Sequence, residues 1–274
     1  VPLDLKELGV YPGIRQDLAA IADRPHGMLL VSGPTGSGKT TTLYSLLLTL
    51  DAMTRKIVTI EDPIEYELPL IRQSQVDPNI HYSFAEGLRT TLRQDPDVIL
   101  VGEIRDRETA DVAMRAALTG HLVFSSIHTN TALGAIPRLL DIGIDPFLIT
   151  SSLSGVIAQR LVRCVCTECR EPYTPTDEEA EWLGFVGKAK ELVLYKANGC
   201  AICRETGFRG RTGLFELFPM DRDFAQLVTR RAGEQELAEL AREKGLAFMV
   251  DDGKHKVVNG HTTIPEILRV CQNL

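Results

Sequence analysis

Residues 28–50 read MLLVSGPTGSGKTTTLYSLLLTL. A short apolar run at 28–31 predicts a buried strand, a glycine-rich turn follows, and a leucine-rich helix is expected over 41–50. Within it, GPTGSGKT (33–40) fits the pattern G-x-x-x-x-G-K-[ST] in the strand–loop–helix setting that the pattern requires. Glycines there let backbone N–H groups turn inward around phosphate oxygens. The loop comprises Gly33, Pro34, Thr35, Gly36, Ser37 and Gly38, with Lys39, Thr40 and Thr41 leading into the helix. Lys39 can reach the β- and γ-phosphates of ATP, and the Thr40 hydroxyl can hold Mg²⁺. The start of the helix adds a favourable dipole. The alternative is a plain glycine-rich turn, and the full match in context weighs against it.

Strands are expected at 57–60, 98–101 and 122–127, with helices at 3–24, 83–93, 108–118 and 133–140. Ser83 and Glu86 have capping-box spacing, and Phe84, Leu88 and Leu92 form one apolar stripe. Strands alternating with helices predict an α/β fold, its parallel sheet covered on both faces. Ligands in such folds bind beyond the carboxyl ends of the strands. The glycine-rich turn, Glu61, Asp62, Glu103 and His128 all fall just past strand ends, so they are expected to converge.

DVILVGEIRD (97–106) carries an apolar run that stops abruptly at Gly102 and Glu103. It reads as a Walker B strand, with Glu103 in place of the more common Asp. A carboxylate there can bind Mg²⁺ through water or orient the attacking water. A solvated strand-end glutamate is the alternative. IEDPIEY (60–66) places Glu61, Asp62 and Glu65 after the second strand, where Pro63 forces a turn. One of these can act as a general base, or all can be surface carboxylates. Arg89 and Arg93 lie one helical turn apart, and a phosphate between them would offset their repulsion. Arg105 is a third phosphate candidate; pairing with nearby acids is the alternative for all three. His128, beside Thr129 and Asn130, sits where a γ-phosphate sensor would, although a lone histidine is often structural.

The net charge of −7 argues against a general nucleic-acid binder. No apolar run is long enough for a transmembrane segment, and no signal peptide is expected. The chain opens at Val1 without methionine, which predicts a fragment of a longer protein. Cys166-x-x-Cys169 and Cys200-x-x-Cys203 make a four-thiolate set suited to tetrahedral Zn²⁺ in a reducing compartment. The gap between the pairs exceeds the usual zinc-ribbon spacing. Cys164 is an extra thiol near the first pair, and Cys271 reads as a core residue. Residues 164–212 hold few apolar residues, so metal is expected to supply much of their folding energy. The expected division is an ATPase core at 1–160, a tetracysteine subdomain at 161–212 and a mainly helical subdomain at 213–274.

In order along the chain, GPTGSGKTTTLYSLL, VTIEDPIEY, LRTTLRQDPDVILVGEIRD and TGHLVFSSIHTN resemble the boxes of the secretion-ATPase superfamily. That superfamily drives type II secretion and type IV pilus assembly. QRLVRCVCTECREPY and GCAICRETGFRGRTGLFELF resemble its zinc-binding and C-terminal regions, and the resemblance extends over essentially the whole chain. It implies a RecA-like P-loop core, a ring of six subunits, and ATP hydrolysis coupled to domain rotation against an inner-membrane platform. The implied location is cytoplasmic, peripheral to the inner membrane. Lys39 and Thr40 are implied to bind phosphate and Mg²⁺, and Glu65 to be the catalytic base. Glu103 supports Mg²⁺, His128 senses the γ-phosphate, and Arg89, Arg93 and Arg105 contact phosphates on the same basis. The family's N-terminal half is missing, so a ring is expected to form poorly, and Cys164 lies outside the usual zinc set. The four cysteines favour the secretion or pilus-extension branch over pilus retraction. Two alternatives are a pilus-linked motor for DNA uptake or conjugation, and a non-hydrolysing, nucleotide-dependent zinc module that binds DNA. The acidic charge and the acids and arginines around the P-loop disfavour the second.

Overall fold

The computed structural model describes residues 4–272 and divides into two compact units. The first runs to Gln159 and regains the chain at Glu216–Leu246; the second holds Arg160–Phe215 and the chain from Ala247 onward. This interleaved division differs from the sequential three-part division expected. The segment 213–274 is shared between the units because the chain re-enters the first one as a buried strand.

Nine strands form. They are β1 (Gly27–Ser32), β2 (Ile57–Glu61), β3 (Arg72–Gln75), β4 (Val98–Val101), β5 (Leu122–Ile127), β6 (Leu153–Val165), β7 (Glu171–Tyr173), β8 (Leu194–Lys196) and β9 (Phe208–Pro219). Seven make one sheet in the order β3-β2-β4-β5-β1-β6-β9, and the pairs from β3 through β6 are all parallel. One strand, β5, separates β1 from β4. Every residue of β1, β2, β4 and β5 is buried, as a sheet covered on both faces demands.

Helices fill both sides of the first unit. Lys39–Leu48 follows β1 and buries Leu43, Tyr44, Leu46 and Leu47. Phe84–Leu92 is capped by the Ser83 hydroxyl, which accepts the Glu86 N–H, and Leu88 of the expected stripe is fully buried. Arg107–Leu118 begins where Asp106 accepts the Thr109 N–H at 2.8 Å. Further helices of this unit are Ala135–Asp141, Pro146–Ser152, Arg222–Thr229 and Glu234–Glu243. The helix expected over 3–24 forms only at Pro12–Ala22, with a bend at residue 4 and turns at 5–9; residue 3 lies outside the described residues. Proline at the first helical position fixes where it starts.

The second unit contains the paired strands β7 and β8, the stretch around the four cysteines, and the helices Met249–Val258 and Ile264–Cys271. Contrary to the sequence expectation, the cysteine stretch has apolar residues to bury: Ala180, Leu183, Ala189, Leu192 and Leu194. Metal therefore does not carry its folding alone. Glu266, 2% exposed, is gripped from two sides. Arg163 donates through its backbone N–H (3.0 Å), Nε (3.1 Å) and a terminal nitrogen (2.7 Å); Arg269 donates at 2.9 and 2.6 Å. Burial alone would raise its pKa, but the Arg269 and Arg163 hydrogen bonds win and bring it down to about 2. A depressed carboxylate stabilises the fold above its unfolded pKa, and the contribution drains away as pH falls toward the folded value. Glu266→Gln should cost about 3 kcal/mol at neutral pH. The deficit should shrink as pH falls from the ordinary carboxylate range toward about 2. Denaturant unfolding of both chains across that window checks this; a pH-independent deficit would refute it.

Among the described residues, no helix is long and apolar enough to cross a membrane.

Candidate functional site

The P-loop leaves β1 at Ser32. Gly33 has φ +151°, and a Cβ there would stand 2.5 Å from both the Gln159 carbonyl oxygen and the Ser37 Oγ, so only glycine fits. Gly38, in the left-handed region at φ 91°, opens the helix Lys39–Leu48, whose first-turn amides receive no side-chain cap. Lys39 Nζ donates to the carbonyl oxygens of Gly33 (2.9 Å) and Pro34 (3.2 Å), curling its ammonium over the loop. Burial lowers the Lys39 pKa, and the Glu103 charge opposes that shift. The Ser37 hydroxyl is buried with no hydrogen-bond partner among the described residues. Gln159 fixes the loop from below, its amide donating to the Ser37 carbonyl at 2.8 Å. Pro34, Thr35 and Gly36 are exposed at the crown, while Thr40 and Thr41 are half-buried at the helix start. An uncapped helix start, an ammonium and an unpartnered buried hydroxyl fit a phosphate chain with its Mg²⁺.

The turn after β4 is pinned by both neighbouring strands. The Gly102 N–H donates to the Ile60 carbonyl (2.8 Å), the Ser126 hydroxyl to the Gly102 carbonyl (2.7 Å), and the Ile104 N–H to the Ser126 carbonyl (2.8 Å). This directs Glu103, 13% exposed, toward His128, whose Nε2 lies 3.2 Å from its Oε2; Arg105 pairs with the other oxygen. Glu103, Arg105 and His128 are thus brought together, and Lys39 feels the Glu103 charge. His121 instead donates from Nδ1 to the Ala116 carbonyl at 3.1 Å, a structural role at a helix end.

Other predicted residues lie elsewhere. Arg89 is held by Glu86 (2.8 Å) and Glu108 (2.6 Å). Arg93 is exposed, 3.4 Å from the Thr90 hydroxyl. Among the described residues neither is bonded to Lys39, Glu103 or His128. Glu65 is exposed on the loop after β2. Glu61, the neighbouring candidate, is buried and saturated: it accepts from Tyr44, from the Thr59 hydroxyl (2.5 Å) and from the Gln73 amide (3.1 Å).

Sequence reasoning missed the residues that lock the His128 loop. Ser32 Oγ is 2.6 Å from Thr129 Oγ1 and donates to the carbonyls of Thr129 (3.0 Å) and Thr131 (3.3 Å). Glu216 accepts the Ala132 N–H at 2.7 Å, and the Thr131 hydroxyl donates to Glu234. A serine ending the P-loop strand was the one local signal; the two glutamates come from distant sequence.

In the second unit the Sγ atoms of Cys166, Cys169, Cys200 and Cys203 lie within 4.8 Å of one another. The pairs 166–200, 169–203 and 200–203 are 4.0, 3.8 and 3.7 Å apart. Zinc–sulfur bonds of about 2.3 Å in a tetrahedron need sulfurs about 3.8 Å apart, so the donor set fits Zn²⁺. The backbone N–H groups of Cys200 and Gly207 each donate to Cys203 Sγ at 3.2 Å. Burial would raise this thiol, but those N–H bonds, together with hydrogen bonds from the Cys200 and Cys169 thiols, outweigh it and bring Cys203 down to about 6. Cys164 is outside the cluster, and burial raises its pKa.

A parallel sheet with a P-loop on β1, and a carboxylate past β4 one strand away, defines a RecA-like P-loop protein. The profile of the Type II/IV secretion system protein family matches residues 1–269, and the chain belongs to that family. Type II secretion system protein E of Pseudomonas aeruginosa is 52% identical over 270 residues, covering 98% of this chain and 53% of that protein. Type II secretion system ATPase E of Vibrio cholerae is 51% identical over 271 residues, with 98% and 53% covered. The chain therefore spans about half the length of these relatives. Among solved structures, the pilus retraction motor PilT with bound ADP superposes with a TM-score of 0.71 at 30% identity, covering 98% of this chain and 67% of that one.

Proposed function

We propose that this chain is the catalytic part of an ATP-hydrolysing motor that powers a type II secretion pseudopilus or type IV pilus assembly. The observation that carries the reading is the joining of Glu103, Arg105 and His128 beyond the strand ends, with Lys39 of the P-loop within reach of the Glu103 charge. Lys39 holds the β- and γ-phosphates. Thr40 directly, and Glu103 through water, would hold Mg²⁺, which neutralises phosphate charge when bound. Glu65 takes the proton from the attacking water. His128 reports on the γ-phosphate through Glu103, and Arg105 leaves Glu103 for a phosphate oxygen. Arg89 and Arg93 are assigned to phosphate contacts from a neighbouring subunit or a closed state. The working form is a homo-hexamer on the cytoplasmic face of the inner membrane, against platform proteins. The core is residues 1–160, with tetracysteine and C-terminal parts at 161–212 and 213–274 as functional regions.

The experiment is steady-state hydrolysis by the full-length protein alongside a duplex-DNA titration at two salt concentrations. Turnover with weak, salt-sensitive DNA binding supports the motor. Tight, sequence-preferring DNA binding without turnover would instead support the zinc-module alternative.

The tetracysteine set is assigned one structural Zn²⁺. Four thiolates would fill its shell and leave no open position for water. Cys166→Ser and Cys203→Ser should release the metal and loosen residues 164–212 while ATP still binds at Lys39. Cys164→Ser and Cys271→Ser should keep it. Elemental analysis with parallel nucleotide binding checks this; metal loss on Cys164→Ser would show a different ligand set.

A further inference from the structure

Strand β3, RQSQ, is a polar strand at the edge of the sheet. Its two glutamines sit at i and i+2, on one face. Both are committed to the backbone of the loop that carries Glu65. Gln75 Oε1 accepts the Ile64 N–H at 3.1 Å. Gln73 Oε1 accepts the Leu68 N–H at 2.6 Å, and its Nε2 donates to the Tyr66 carbonyl at 3.2 Å. The chain is thus held on both sides of Glu65.

The same Gln73 amide reaches Glu61 (3.1 Å) and the Tyr44 hydroxyl (3.4 Å). Tyr44 is fully buried and lies in the helix that starts at Lys39. Its hydroxyl donates to Glu61, a backbone hydrogen bond joins it to Glu65, and its ring meets Tyr66 edge-on at 4.7 Å. A buried polar node therefore links the phosphate-binding helix to the Glu65 loop. Tyr44, Glu61 and Gln73 are each hydrogen-bonded within it, which favours one arrangement of these three, while the buried Tyr66 hydroxyl has no hydrogen-bond partner among the described residues.

We propose that Tyr44, Gln73 and Gln75 are positioning residues for Glu65, fixing its loop in register with the helix that grips the phosphates. The proposal rests on Glu65 being the base. A base on an exposed loop gains its rate only if its backbone is held close to the productive geometry.

The test uses the full-length protein. Gln73→Ala, Gln75→Ala and Tyr44→Phe are compared with the parent for kcat, ATP KM, thermal unfolding and nucleotide-free amide exchange over residues 62–68. The expected result is a fall in kcat of about tenfold to hundredfold at nearly constant KM. Exchange at 62–68 should quicken in both glutamine variants. Gln75→Glu keeps the acceptor for the Ile64 N–H and should recover most of the rate. In a Glu65→Gln background the same substitutions should change the residual rate little, because the group they position is gone. Gln75 is exposed, so its substitution tests the idea even where Gln73→Ala or Tyr44→Phe unfolds the chain. Parent-level kcat in Gln75→Ala, or equal losses with and without Glu65, would overturn the positioning role while leaving an inactive Glu65→Gln intact as evidence for the base. Parent-level turnover by Glu65→Gln itself would overturn the base assignment and this proposal together.

Discussion

Lys39→Ala is expected to weaken ATP binding by about one to two decades and to bring hydrolysis to background. The side chain is already bent over its loop toward the Gly33 and Pro34 carbonyls, 2.9 and 3.2 Å away. Moving that ammonium onto a phosphate replaces neutral acceptors with charged ones. Hydrogen bonds to charged groups contribute about 1.5–3 kcal/mol, which sets the binding loss. Turnover should suffer more, because negative charge develops on the leaving β–γ bridging oxygen as its bond to the transferred phosphoryl group breaks. Calorimetric titration with ATP and a steady-state assay read the two quantities. Equal affinity in variant and parent would remove the loop from nucleotide binding.

Glu65→Gln should leave ATP affinity within about twofold of the parent and cut kcat by about a hundredfold to ten-thousandfold, the range for loss of a general base. The amide keeps the size and hydrogen-bonding shape of the carboxylate but cannot take the proton from water. Glu61 does not compete for the role, since its oxygens are already occupied by Tyr44, Thr59 and Gln73. Equilibrium binding and single-turnover hydrolysis separate the effects. Normal turnover would move the base to Glu103, which faces His128.

The central strands were legible because β1, β4 and β5 are buried on both faces and so read as unbroken apolar runs. β3 was not, because RQSQ is all polar and its pairing to β2 is a tertiary fact. β9 was hidden by its start: Arg209, Gly210 and Arg211 are exposed, and only Gly213–Phe218 enters the core. The helix Pro146–Ser152 was missed despite Asp145 capping it ahead of Pro146. Site residues with a motif, such as Lys39 and Glu103, were found at once. Ser32, Tyr44, Gln73 and Glu216 were not, because each acts on a backbone or side chain far along the sequence. The four cysteines were readable from spacing, whereas the N–H groups that support Cys203 were not.

The most direct measurement is a crystal structure of the full-length protein with Mg²⁺ and a non-hydrolysable ATP analogue. The account predicts that Lys39 Nζ leaves the Gly33 and Pro34 carbonyls for the β- and γ-phosphates. Thr40 should contact the metal, with Glu103 one water away and Glu65 facing the γ-phosphate. Nucleotide bound elsewhere, or a Lys39 still seated on its own loop beside a bound analogue, would contradict it.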